Sequence, residues 1–245
     1  CGGAFAFGHV HHHVQAALGK VESVQQLAAY YRTASPTMAT FASNHDRFAG
    51  ARLWDQVAGD TTRYKLAAAG YLLQPGTPFI YYGEEVGQAG VPGLPGDMPL
   101  RAPMSWTADT STAGFTTGQP FRPVAPNLAT HNVQAQLRDP ASILHFYKAM
   151  LKLRNTRPSI ARGSFEASFA EGLVLGFQRQ WRNERTLVLI NYGTEAAELS
   201  VPSLPPAATA QRIWPRNSAS LRADHNGTAR AVVPAQTVAV YRVGR

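Results

Sequence analysis

Cysteine is all but absent: the single thiol, Cys1, rules out an intrachain disulfide and says little about the compartment. Long apolar runs are missing too. No stretch approaches the roughly 18 to 20 residues that cross a bilayer, so no membrane span is expected. The first ten residues, CGGAFAFGHV, lack the charged start, apolar core and cleavage site of a secretory signal; with no Met at position 1, the chain is expected to be a piece of a longer polypeptide. Lysine is scarce, four residues among 23 basic ones, so the net charge of +8 is carried almost wholly by arginine. Those arginines are scattered from Arg32 to Arg245 and form no basic helix or aromatic-studded basic strand. Alanine-rich and arginine-rich together, the composition reads as codon bias, and no nucleic-acid partner is expected. What remains is an ordinary globular composition, 44% apolar and 16% charged over 245 residues, enough for one large or two smaller domains. A soluble, bacterial-type protein, cytoplasmic or secreted, is the expectation.

The first part of the chain alternates strand and helix. Gly3 to Phe7 is a short apolar run read as a strand, Val21 to Arg32 has helical spacing, and Met38 to Ala42 is a second strand. Thr61 to Gln74 reads as a helix with Asp60 as its N-cap and Pro75-Gly76 as its stop, followed by a third strand at Thr77 to Tyr82. Three such units imply parallel strands joined by crossovers. From Gly83 to Arg138 the pattern stops in a Gly-, Pro- and Thr-rich segment, and a loop of that length is usually functional. A broad apolar face then marks a helix over Ala141 to Asn155, ending before Pro158. Beyond Gly163 the period shortens to two: Leu173 to Trp181, Thr186 to Asn191, Ala197 to Val201, Ala229 to Val233 and Thr237 to Arg242 read as strands of a small antiparallel sandwich, with a boundary near Arg162.

The second strand runs straight into Ser43-Asn44-His45-Asp46. An amide, an imidazole and a carboxylate delivered together at a strand's carboxyl end point to chemistry in a barrel, although Asn44 and Asp46 are equally residues that cap turns and helices. His9, His11, His12 and His13 crowd the end of the first strand, and no nearby carboxylate or thiolate apart from Cys1 would complete a zinc site, so a solvated or helix-entry cluster is expected. In the long loop, Arg101 is placed to bind a polar ligand or to pair with Asp97, and Tyr82, Trp106 and Phe115 to stack on a ligand or to pack.

Five blocks carry a resemblance over essentially the whole chain: FASNHD, GTPFIYYGEE, LRAPMSW, AGFTTGQPFRPV and the DPASILHFYKAMLKLR helix before the β region. In this order they resemble the α-amylase family of retaining glycoside hydrolases. The resemblance implies a fold: residues 1–162 as the last three βα units of an incomplete (β/α)8 TIM barrel, with FASN as its seventh strand and TPFIYYG as its eighth, and residues 163–245 as the C-terminal β-sandwich domain.

It also implies roles. Asp46 matches the aspartate that contacts sugar hydroxyls and stabilises the transition state, His45 the histidine that bonds the same sugar, Asn44 fixes the turn that aims them, and Glu85 matches the glutamate of a GxPxxYYGxE pattern. The family's nucleophile and acid lie on the fourth and fifth strands, upstream of anything present here, so this chain alone should be inactive toward α-glucans or maltooligosaccharides, its partner being the missing N-terminal barrel half. No metal or other cofactor is evident; a family calcium site would lie mostly in that missing part. RxPMxW is most similar to the α-glucosidase, maltodextrin-acting amylase and trehalose synthase branches. However, PGDMPLR puts Gly96 before Asp97, where exo-acting α-glucosidases have an arginine, and adds one residue, which favours an endo-acting or maltodextrin-acting amylase over the α-glucosidase or trehalose synthase branch. A non-catalytic carbohydrate-binding or assembly module is the alternative from a different class.

Overall fold

A computed structural model describes residues 3–244. Its first half is helical. α1 (Phe7–Ala17) and α2 (Val21–Tyr30) pack together and lead to β1 (Ala39–Thr40). A 3-10 turn (Arg47–Ala49) and the short α3 (Leu53–Gln56) precede α4 (Thr61–Leu73), which leads to β2 (Thr77–Pro78). The long segment that follows holds 3-10 turns at Glu84–Val86 and Met98–Leu100, then α5 (Val133–Gln136), α6 (Ile143–Thr156) and α7 (Pro158–Arg162).

The strands of this half are much shorter than their sequences predict. β1 and β2 pair in parallel through Ala39 with Thr77 and Thr40 with Pro78, and the first strand contracts to one parallel bridge between Phe5 and Ala39. Instead of continuing as a strand, Phe7 opens α1. That helix buries His9, Val10, His13, Val14, Ala16 and Ala17 on one face, a helical stripe disguised in sequence because two of its members are histidines. Gly76, at φ +91°, lets the chain pass over β1 so tightly that a Cβ there would lie 2.0 Å from the Met38 carbonyl oxygen.

α4 is the axis of the structure. Asp60 caps it, accepting from the amides of Thr62 and Arg63 at 2.9 and 3.0 Å, and Leu66 to Leu73 are buried all round because α1, α6 and the sheet surround it. Its carboxyl end is held by two buried arginines. Arg154 from α6 donates to the carbonyls of Leu72, Gln74 and Gly76; Arg179 donates to Leu73, Gly163 and Ser164. A helix leaves its last carbonyls unpaired, and cations there satisfy them and the helix dipole together. Arg179→Met, which keeps the volume but leaves those carbonyls unpaired, is expected to cost about 3 kcal/mol in urea unfolding at neutral pH.

Downstream, β3 (Ser164–Glu171), β4 (Val174–Trp181), β5 (Glu184–Asn191), β7 (Thr209–Trp214), β8 (Ser220–Arg222) and β10 (Thr237–Gly244) form a six-stranded antiparallel sheet in the order β3-β4-β5-β10-β7-β8. β6 (Ala197–Val201) and β9 (Ala229–Val233) pair separately. The sequence reading missed β3, β7 and β8, whose residues are half-exposed and alternate weakly. Both faces of the central strands are covered. Leu175, Phe177, Val188, Ile190, Val238 and Val240 join the core of the helical half, whereas Val174, Leu187, Leu189, Ala239 and Tyr241 pack against Leu199, Val201, Ala231 and Val233. The period of two along each strand sends alternate side chains to two different cores.

Candidate active site

Past β1, Phe41, Ala42 and Ser43 stay buried, and the chain then surfaces with Asn44 half-buried, His45 exposed and Asp46 half-buried. Asn44 Oδ1 accepts from the Asp46 amide at 2.8 Å, an Asx-type turn. Asp46 stands at the N-cap of the Arg47–Ala49 turn but makes no side-chain cap bond there. Its carboxylate faces Arg101, with Nη2 3.0 Å from Oδ1, while His45 Nε2 lies 3.4 Å from Oδ2.

Arg101 is the hinge pin of this cluster. The same Nη2 reaches Asp97 Oδ2 at 2.9 Å, and Nε donates to the His45 carbonyl at 2.9 Å. Asp97 is fixed in turn by the Arg47 amide, 2.9 Å from its Oδ1. One guanidinium therefore ties two carboxylates and a backbone carbonyl, the farthest 56 positions away in sequence. Pairs as exposed as these stabilise the fold by at most about 1 kcal/mol, so their effect is on orientation. Arg101 itself is seated by its neighbour: buried Arg52 donates to the Leu100 carbonyl through both Nε and Nη2 and lies 4.4 Å from the Tyr81 ring centroid. Asn44, His45, Asp46 and Arg101 thus come together, and Arg101 pairs with Asp97 as well as with Asp46.

Beside them opens a cavity of about 600 Å³ whose lining includes Tyr82, Glu85, Arg101, Trp106 and Phe115. Burial raises the pKa of Glu85, and its Oε2 has no hydrogen-bond partner among the described residues. Such a wall, aromatic with a guanidinium and a carboxyl at its edge, is chemically suited to a polyhydroxylated ligand, since ring faces take C–H surfaces and the charged groups take hydroxyls.

Beneath the surface lies a residue that sequence reasoning passed over. Glu84 is buried, with Tyr71 and Tyr147 donating to Oε1 at 2.6 and 3.0 Å and Ser43 donating to Oε2 at 2.7 Å. Burial pushes its pKa up to about 7, against the pull of the hydroxyls of Tyr71, Ser43 and Tyr147. The available signal was in α4, where Tyr64 and Tyr71 stand two turns apart in an otherwise apolar helix and need polar partners inside.

The histidine cluster corrects an expectation. His9 and His13 are buried within α1; His11 is exposed and His12 half-buried. His9 stacks on Tyr30 at 3.9 Å and bonds Gln74 Oε1 at 3.1 Å, and burial lowers its pKa to about 4. His13 is pushed well below the ordinary value, again chiefly by burial. Neutral imidazoles pack as core residues here, which is why a solvated cluster is not what forms. Among the described residues, no three His, Cys, Asp or Glu side chains are arranged to hold a metal ion.

Residues 7–163 match the family model of the alpha amylase catalytic domain. A probable alpha-glucosidase of Rhizobium meliloti is 32% identical over 194 residues, covering 72% of this chain and 35% of the relative. Alpha-amylase SusG of Bacteroides thetaiotaomicron is 35% identical over 185 residues, covering 72% of this chain and 25% of the relative. Among solved structures, an alpha-amylase from Geobacillus thermoleovorans complexed with acarbose superposes with a TM-score of 0.70 at 20% identity, over 99% of this chain and 48% of that one. The chain therefore spans about a third or less of these curated relatives.

Proposed function

This chain belongs to the α-amylase family of glycoside hydrolases, and on that premise we propose that it is the C-terminal part of a retaining enzyme acting on α-glucans or maltooligosaccharides. The observation that carries this reading is the half-exposed Asp46 carboxylate at a strand end, aimed by Asn44, braced by Arg101 and flanked by His45. In glycoside cleavage, positive charge grows on the sugar ring and hydrogen bonds to its 2-hydroxyl strengthen. A carboxylate already fixed in place favours that state over the ground state, because no reorganisation is needed as the charge develops. Asp46 is accordingly the catalytic residue of this chain, with His45 and Arg101 as substrate-binding groups and Asn44 as the residue that sets their turn.

A retaining enzyme also needs a nucleophile and an acid about 5 to 5.5 Å apart, and these are assigned to an N-terminal part. An incomplete (β/α)8 barrel over 1–162 fits the open edges of the parallel strands. It also fits the exposed rings of Phe5, Phe7, Phe48 and Phe79 around buried Phe41, an aromatic face that barrel closure would cover. A sandwich domain over 163–245 fits the β6-β9 pair lying on the six-stranded sheet. No cofactor is assigned to this chain, and a family calcium site would lie mostly in the N-terminal part.

Gly96 before Asp97 favours an endo-acting or maltodextrin-acting amylase. The likeness to a probable alpha-glucosidase favours the α-glucosidase or trehalose synthase branch as the second reading. Incubated alone with maltoheptaose, the chain is expected to release no reducing sugar, and supplying the N-terminal part should restore turnover. Robust turnover by the chain alone would overturn the assignment of the nucleophile and acid to the missing part.

A further inference from the structure

We propose that Glu84 is a positioning residue for Asp46, acting through Ser43. The inference rests on the reading of Asp46 given above and adds a residue to that site. β1 pairs for only two residues, and from Phe41 onward the segment is steadied by side chains: Gln56 Nε2 on the Ala42 carbonyl at 3.4 Å, Glu84 on Ser43 at 2.7 Å, and Asn44 on the Asp46 amide at 2.8 Å. Of these, Glu84 is the group bonded at its amide, its carbonyl and both carboxyl oxygens. Its backbone amide donates to Tyr81 O at 2.9 Å and its carbonyl accepts from Tyr64 at 2.6 Å, while its second carboxyl oxygen is gripped by Tyr71 of α4 and Tyr147 of α6.

A carboxyl group is an unfavourable way to fill a core, because burial strips it of hydration that an apolar side chain never needs. Here the group does something that an apolar side chain cannot. It converts the fixed positions of two core helices into a fixed position for Ser43 Oγ, one residue before the Asn44–Asp46 turn. Arg101 braces the same turn from the solvent side, so the turn is held from below by Glu84 through Ser43 and from above by Arg101 on the Asp46 carboxylate.

The test uses the complete enzyme that carries this chain. Ser43→Ala removes the link while leaving Glu84 its two tyrosines, and is expected to lower kcat about tenfold, the size of one hydrogen bond, with KM unchanged. Deuterium exchange should quicken at the amides of residues 44–47 and stay as slow as before in α4 and α6. Glu84→Gln, which keeps an acceptor for the tyrosines and offers an amide to Ser43, should restore kcat and slow exchange relative to Glu84→Ala. Unchanged exchange at 44–47 in Ser43→Ala would overturn the proposal, as would loss of protection spreading through α4 and α6, because the role would then be structural only. An unsubstituted complete enzyme with no turnover of any α-glucan would instead overturn the reading of Asp46, leaving exchange to decide the mechanical link.

Discussion

Asp46→Asn in the complete enzyme is expected to lower kcat/KM by a factor of roughly a hundred to a thousand, as loss of one preorganised charged contact does. The substitution keeps the size of the side chain and the Asn44 turn, which bonds the backbone amide and not the carboxylate. It removes the negative charge that Arg101 and His45 now face. The loss should fall on kcat more than on KM, since the contact strengthens as the ring becomes cationic. Arg101 would remain bound to Asp97 and to the His45 carbonyl, so the loop should stay in place and thermal stability should change little. Parallel steady-state kinetics and melting curves check this; a matching collapse in stability would show that Asp46 matters through the fold. An activity unchanged within a factor of two would remove Asp46 from the site.

Acidification from pH 6.5 to 4.5 is expected to destabilise the fold, by the small resultant of larger opposed terms. His9 has a folded pKa of about 4 against 6.5 unfolded, so the unfolded chain takes up the proton first. Its contribution is present above pH 6.5 and is lost as pH falls toward 4, about 3 kcal/mol in all. His13, fully buried and shifted in the same direction, acts with it. Glu84 runs the other way: its folded pKa of about 7 lies above 4.5, so its contribution is present below pH 4.5 and is lost as pH rises toward 7. Two imidazoles outweigh one carboxyl. Asp55 and Glu85, also raised by burial, add to the Glu84 side at the acid end, and half-buried His12 adds to the imidazole side. Urea unfolding across pH 4.5 to 7.5 measures the balance. The double substitution His9→Gln, His13→Gln should reverse the slope, leaving Glu84 to make the protein more stable in acid, and Glu84→Gln in the parent should steepen it. A flat profile in the parent would mean that the histidines are hydrated in the folded state.

Much of this was legible from local pattern. The Asp60 cap, α4 with its Pro75-Gly76 stop, the α6 stripe and five of the β-region strands follow from side-chain spacing, which reports the surface that each element buries. The ordered blocks point to the family, and the NHD tripeptide at a strand end points to the site. Less legible were features whose cause lies across the chain. The apolar stripe of α1 contains His9 and His13, which count as polar until Tyr30, Tyr71 and Gln74 enclose them. The first strand shrank to a bridge because strand length depends on paired neighbours, and among the described residues Phe5 pairs with Ala39 alone.

By itself the sequence determined which residues form the polar cluster after β1, the family they belong to, and the caps and stops of the principal helices, because each depends on neighbours a few positions apart. Tertiary structure alone decided that Arg101 links Asp46 to Asp97, that Arg154 and Arg179 close α4, and that Glu84 sits among three tyrosines and a serine. Apart from the Arg101–Asp97 pair, four positions apart, these bonds join residues 13 to 106 positions apart, and a buried charge is tolerated only where its partners converge. Spacing along the chain cannot report that convergence; packing does.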